Sequence, residues 1–119
     1  MSGVKYLLDT NIIIGFFNRV PEARQLLTGR NLRSNECGYS AITRMELLGY
    51  PGITNEEETA IRRLLSRLSY LPLTRDIEDT AILVRRTHRV KLPDAIIAAT
   101  AKVHGLELLT LDKGLEAIG

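Results

Sequence analysis

The stretch Val4-Lys5-Tyr6-Leu7-Leu8-Asp9-Thr10-Asn11 decides how the chain is read. Residues 4–8 are short and nearly continuously apolar, the pattern of a parallel strand whose two faces are both covered by helices. The run ends abruptly in a carboxylate and is followed at once by Ile12-Ile13-Ile14. A strand ending this way carries Asp9 to its carboxyl end, and in an open α/β sheet the crevice beyond those ends is where ligands bind. The same aspartate has a plain structural account as the cap of a helix beginning near Asn11.

Outward from this stretch, 119 residues with 45% hydrophobic content suit one domain, residues 1–119, with a core large enough to fold unaided. Sixteen Lys and Arg against fourteen Asp and Glu leave a net charge of +2, which permits a nucleic-acid partner without announcing one. The single cysteine, Cys37, cannot form an intramolecular disulfide; it reads as a buried thiol in a reducing compartment. The longest apolar run, 12–17 around Gly15, is far short of a membrane span. These features together give the expectation of a cytoplasmic protein with no membrane association.

Strand and helix signals then alternate. Residues 11–18 form a short helix that is apolar nearly all round, so something besides the sheet should cover it. Pro21 opens a second helix over 21–28, with Leu26 and Leu27 turned inward, and residues 31–35 are loop. A weak strand over 36–39 leads to Ser40, the N-cap of a helix reaching Leu48 and closed by Gly49-Tyr50-Pro51-Gly52. Its expected apolar stripe is Ile42, Met45 and Leu48, with Glu46 at the margin, where it is either a salt-bridged surface acid or part of a site. Thr54 and the acids Glu56, Glu57 and Glu58 start the next helix, a structural use of charge.

Residues 70–73 read as an edge strand, because Pro72 cannot donate to a ladder. Thr74 opens a longer helix whose inner stripe is Ile77, Ala81 and Val84, ending in His88 as a packed or boundary histidine rather than a ligand. Its end carries Arg85, Arg86, Arg89 and Lys91, cations that either complement a helix C-terminus or contact phosphates. Pro93 places Asp94 in the first turn of a helix closing near Gly105, where an acid is also ordinary helix chemistry. Residues 107–110 form a last strand, and Asp112 follows its tip as Asp9 follows the first.

The alternation predicts a three-layer α/β/α domain with a mainly parallel sheet. Asp9 and Asp112 would leave strand tips while Glu46 and Asp94 reach the same crevice from helices. Four converging acids repel one another unless a cation joins them, and oxygen-only ligands favour Mg²⁺ or Mn²⁺ over zinc. The chain has no Gly-rich phosphate loop and no Cys/His cage.

Leu7-Leu8-Asp9-Thr10-Asn11, residues 40–48, residues 92–101 and Leu109-Thr110-Leu111-Asp112 resemble, in order, the acidic motifs of PIN domains, and the length and the helix after Asp9 resemble the VapC-type toxins of that family. The resemblance spans nearly the whole chain. It implies a Mg²⁺- or Mn²⁺-dependent endoribonuclease, usually dimeric and held inactive by a small antitoxin. Carried over by position, Asp9, Glu46 and Asp94 are the central acids, Asp112 is the most variable fourth, and Asn11 and Thr110 are supporting hydrogen-bonding residues. Arg85, Arg86, Arg89 or Lys91 would position RNA phosphates. Two other classes fit some of these features. A catalytically inactive PIN-like module binding RNA or protein would share the fold, although four retained acids argue against it. A Mg²⁺-binding phospho-acceptor receiver domain would have paired acids after its first strand, where this chain has Thr10-Asn11.

Overall fold

The computed structural model describes residues 3–118; positions 1, 2 and 119 of the expected domain lie outside the described residues. Along the chain run β1 (Tyr6–Leu8), α1 (Thr10–Phe17), α2 (Pro21–Gly29), a 3-10 turn (Ser34–Glu36), β2 (Cys37–Ser40), α3 (Ala41–Leu48) and α4 (Asn55–Leu65). They are followed by β3 (Ser69–Leu71), α5 (Arg75–Thr87), α6 (Leu92–His104), β4 (Glu107–Leu109) and α7 (Lys113–Ile118). The four strands form one parallel sheet in the order β3-β2-β1-β4. The chain moves from β1 outward through β2 to β3, then returns to the other side of β1 for β4. The boundary between β1 and β4 is therefore the point where strand order reverses, the usual place for a site in such sheets.

Period-two alternation along β1 and β4 builds the three layers. Leu7 and Leu108 pack with Ile77, Ala81 and Val84 of α5 and with the small residues Ala95, Ala98 and Ala99 of α6. Leu8 and Leu109 face the opposite layer, with Ile12 and Ile13 of α1, Leu47 of α3 and Leu65 of α4. Both faces are covered, which is why these strands read as continuous apolar runs rather than alternating ones. The close approach of α1 to α2 is made possible by Gly15, since a Cβ there would stand 2.8 Å from the Ala23 Cβ.

Caps fall where side-chain chemistry demands them. The Ser40 and Thr74 hydroxyls accept from Thr43 and Ile77 backbone N–H groups, and Thr54 and Glu57 form a reciprocal capping box. Gly105 closes α6 in the left-handed region at φ 66°, where a Cβ would be strained.

Several expectations are corrected. The expected stripe of α3 is not its buried face: Met45 is 56% exposed, Ile42 and Leu48 are half-buried, and the buried positions are Thr43 and Leu47. A polar residue can lie inward there because its hydroxyl is hydrogen-bonded within the protein. Of the two places expected for His88 the structure shows the boundary: the helix ends at Thr87, and His88 is exposed and already extended, so it does not continue the inner stripe. β3 spans Ser69–Leu71, so Pro72 follows the ladder instead of interrupting it, although the strand does lie at the sheet edge. The loop expected over 31–35 ends in the 3-10 turn, and α7 is an additional helix. Among the described residues no helix is long and apolar enough to cross a membrane.

Candidate active site

The crevice at the carboxyl ends of β1 and β4 collects the acids. Asp9 is the first residue beyond β1, and its backbone N–H still donates to Leu109 O at 2.9 Å, so the ladder holds it in place. The residue is only 6% exposed. Oδ1 accepts from the Thr10 N–H and Oδ2 from the Thr110 hydroxyl, both at 2.7 Å. A capping side chain takes the N–H of the second or third helical residue. Asp9 takes that of the first and spends its other oxygen across the sheet, so its carboxylate is oriented by more than helix capping.

Asn11 and Thr110 join the turns that follow β1 and β4. The Asn11 amide donates to Thr110 Oγ1 at 3.4 Å, and its oxygen accepts from the Leu111 N–H at 3.1 Å. Thr110 Oγ1 also accepts from the Asp112 N–H at 3.0 Å. Asn11 and Thr110 thus tie the two turns together beside Asp9.

Glu46 projects from the exposed side of α3, one oxygen accepting from the Thr10 hydroxyl at 2.7 Å. Asp94 lies half-buried in the first turn of α6. Asp112 is exposed beyond β4, and its Oδ1 accepts from the Gly114 and Leu115 N–H groups at 2.9 and 3.1 Å, capping α7. That cap was missed in the sequence, although Asp112 followed by Leu115 and Ile118 at helical spacing signals it.

Electrostatics link the four. Burial pushes the Asp9 carboxyl above the usual carboxylate range; the Thr110 and Thr10 hydrogen bonds oppose the rise, and the charges of Asp94 and Glu46 add to it. Burial also raises Asp94, reinforced by Asp112 and Glu46 and opposed by Lys91. Each acid thus acts on at least one other across the crevice. Among the described residues no three His, Cys, Asp or Glu side chains close into a compact metal cage, and Asp9 has no ion-pair partner.

The basic residues divide. Lys91, just before α6, acts on Asp94 from the edge of the crevice. Arg85 and Arg86 line an open groove of about 600 Å³ with Ile82, Leu92 and Ile96 between α5 and α6, and Arg89 is exposed in the connection between those helices. Cys37 lies outside the acid cluster; burial pushes its thiol up to about 11.

A parallel α/β/α domain with acids at its strand-reversal point defines a class of protein, and comparison with known proteins identifies it. The PIN domain family model matches residues 6–119, and the chain belongs to that family. Within it, the chain is 32% identical over 111 residues to ribonuclease VapC10 of Mycobacterium tuberculosis, a match covering 89% of this chain and 81% of the relative. A toxin–antitoxin complex from Klebsiella pneumoniae contains a similar chain, with TM-score 0.78, 35% identity, and 92% of this chain and 88% of that one covered. FitAcB from Neisseria gonorrhoeae is also similar, with TM-score 0.77, 26% identity and coverage of 95% and 91%.

Proposed function

We propose that the chain is a divalent-metal-dependent endoribonuclease, the toxin of a toxin–antitoxin pair, and that residues 1–119 are one nuclease domain. The observation that carries this reading is Asp9: a buried carboxylate at the reversal point of the sheet, facing Asp94 and Glu46, with no ion-pair partner among the described residues. Desolvated acids that repel one another suit a cation, and an all-oxygen donor set suits Mg²⁺ or Mn²⁺. Among the described residues no three such side chains form a compact cage, so an ion here would be held by one or two carboxylates together with waters and substrate phosphate.

Asp9 and Asp94 would hold the ion, Glu46 would complete its shell directly or by orienting a water, and Asp112 would assist through the oxygen not engaged in capping α7. When bound, the ion supplies an acidified water and neutralises charge building on the scissile phosphate. Thr110 and Thr10 hold the Asp9 oxygens so that both lone-pair directions stay fixed, and Asn11 fixes Thr110. Attack of water on phosphorus would form one P–O bond as the P–O bond to the leaving ribose oxygen breaks, with the water proton passing to an acid of the cluster and the leaving oxygen taking a proton from solvent. Lys91, Arg85, Arg86 and Arg89 would place flanking phosphates, an interaction that positions RNA without reading its bases.

Two associations belong to this reading. Ile14, Phe16 and Phe17 of α1 are each about two-fifths exposed and Tyr50 is 64% exposed, apolar surface that suits a homodimer. A groove of about 460 Å³ lined by Ile12, Phe16, Leu27, Leu64 and Leu68 suits an antitoxin segment with an apolar face. Cleavage of RNA that requires Mg²⁺ or Mn²⁺, stops in EDTA and is lost in a folded Asp94→Asn variant is the expected result; equal cleavage by that variant would refute the assignment. A PIN-like module that only binds RNA would bind without cleaving under all of these conditions.

A further inference from the structure

Ser40, Thr43 and Glu46 are spaced by three along the start and body of α3, so they follow one another along one side of the helix. This side meets Thr10 at the start of α1. Ser40 and Thr43 are both fully buried, which is unusual for two hydroxyl residues facing a sheet terminus, and among the described residues no buried side-chain polar atom is left unpaired. The oxygens stand in sequence: Ser40 Oγ to Thr43 Oγ1 3.4 Å, Thr43 Oγ1 to Thr10 Oγ1 2.9 Å, and Thr10 Oγ1 to Glu46 Oε1 2.7 Å.

The chemistry fixes the direction of this chain. A hydroxyl has one proton to give, and an ionised carboxylate can only accept. Thr10 therefore donates to Glu46, which obliges Thr43 to donate to Thr10 and leaves Thr43 Oγ1 to accept from Ser40. Ser40 Oγ in turn accepts from the Thr43 backbone N–H at 3.2 Å. The series begins at a buried helix cap and ends on an exposed carboxylate that has a flexible side chain and no ion-pair partner among the described residues.

We infer that Ser40, Thr43 and Thr10 form a directed hydroxyl chain that positions Glu46 for the divalent ion, making Thr10 and Thr43 positioning residues of the site. The inference rests on the metal-site reading above. Thr10 touches Glu46 directly. Thr43 acts through it, holding the Thr10 oxygen and turning its proton towards Glu46. Outer partners of this kind set ligand orientation, and losing one costs about 10- to 100-fold in metal affinity.

The test measures Mn²⁺ binding to the purified full chain by calorimetry, alongside the Mn²⁺ concentration at which melting temperature is half-shifted. Thr10→Val is expected to weaken Mn²⁺ binding by about 10- to 100-fold, and Thr10→Ser to restore it. Thr43→Val, which keeps volume but removes the hydroxyl, is expected to weaken binding by about tenfold, the lower end of that range. Thr43→Ser, which keeps the hydroxyl but loses the methyl, is expected to melt lower and bind Mn²⁺ as the parent does. A merely structural role would lower melting temperatures without moving the Mn²⁺ dependence, so folded Thr10→Val and Thr43→Val proteins with parental affinity would overturn the inference alone. If either valine variant fails to fold, the alanine and serine variants at that position decide: weaker Mn²⁺ binding by Ala with parental binding by Ser supports the chain, and parental affinity in both overturns it. A parent that binds no Mn²⁺ would overturn both this inference and the metal-site reading.

Discussion

Asp9→Asn separates a metal site from a group of acids that are merely neighbours. The substitution keeps shape and removes one desolvated charge facing Asp94 and Glu46. Its cost is local. An asparagine oxygen can still accept from the Thr10 N–H, but the amide nitrogen would face Thr110 Oγ1, which already accepts from Asn11 and Asp112. A hydroxyl has two acceptor lone pairs, so the bond is lost and two buried donors, the Thr110 hydroxyl and the amide N–H, are left opposed, at a cost of about 1–3 kcal/mol. Relief of desolvation and repulsion opposes that loss, so in EDTA the variant should be less stable than the parent by less than about 3 kcal/mol and can be more stable. Because the Asp9 pKa is raised in the folded protein, the native state holds its proton to higher pH than the unfolded chain does. This group's contribution is therefore fully present below the ordinary aspartate value of 3.8 and is lost as pH rises through the raised folded value. The variant should gain on the metal-free parent over that range.

Mn²⁺ should reverse the order. At a hundredfold excess over Kd, binding to the native state alone contributes about 2.7 kcal/mol. For a domain of this size that is a rise of roughly 10 °C in melting temperature. The parent should show it, and the variant should lose most of it. Thermal melts of both proteins in EDTA and in millimolar Mn²⁺, at pH 5 and pH 7.5, provide the comparison. Equal Mn²⁺ shifts in the two proteins, or a loss of several kcal/mol in EDTA, would make Asp9 a structural cap and remove the central residue of the site.

Asp94→Asn should fold normally and lose RNA cleavage by at least about a hundredfold, beyond the usual effect of removing an outer partner; gel analysis of RNA digests with circular dichroism of the same samples checks both halves. If Arg85 and Arg86 neutralise phosphates, replacing both by Ala should make the salt dependence of RNA binding shallower by roughly 0.7 for each phosphate no longer neutralised, measured by fluorescence anisotropy across a salt series. The Cys37 thiol, buried and raised to about 11, should resist a disulfide reagent at pH 8 until denaturant is added; rapid labelling of the native protein would contradict its placement. Sedimentation at tens of micromolar should return a dimer mass, and a monomer would redirect the exposed faces of Ile14, Phe16 and Phe17 to the antitoxin alone.

What the sequence made legible, and what it did not, follows from which signals are local. β1 announces itself because a strand covered on both faces reads as a nearly continuous apolar run, and Asp9 stands out against that background; β2, Cys37-Gly38-Tyr39-Ser40, carries no such run and is signalled chiefly by the helix cap that follows it. The pairing of β1 with β4, which the element pattern alone does not specify, then brings Asp9 and Thr110 to adjacent strand ends. The inner face of α3 was not legible by the same logic. Hydrophobic periodicity pointed to Ile42, Met45 and Leu48, yet Thr43 is fully buried and Met45 is mostly exposed. A buried threonine is stable only when its hydroxyl has partners, and the nearest, Thr10, lies 33 residues away in sequence. The polar spacing of Ser40, Thr43 and Glu46 was present in the chain, but a polar stripe ordinarily marks the solvent side of a helix. The approach of Thr10 from α1 lets Ser40 and Thr43 lie inward while Glu46, at the end of the same stripe, stays exposed, so a polar pattern that reads as surface along the whole helix is surface over only part of it.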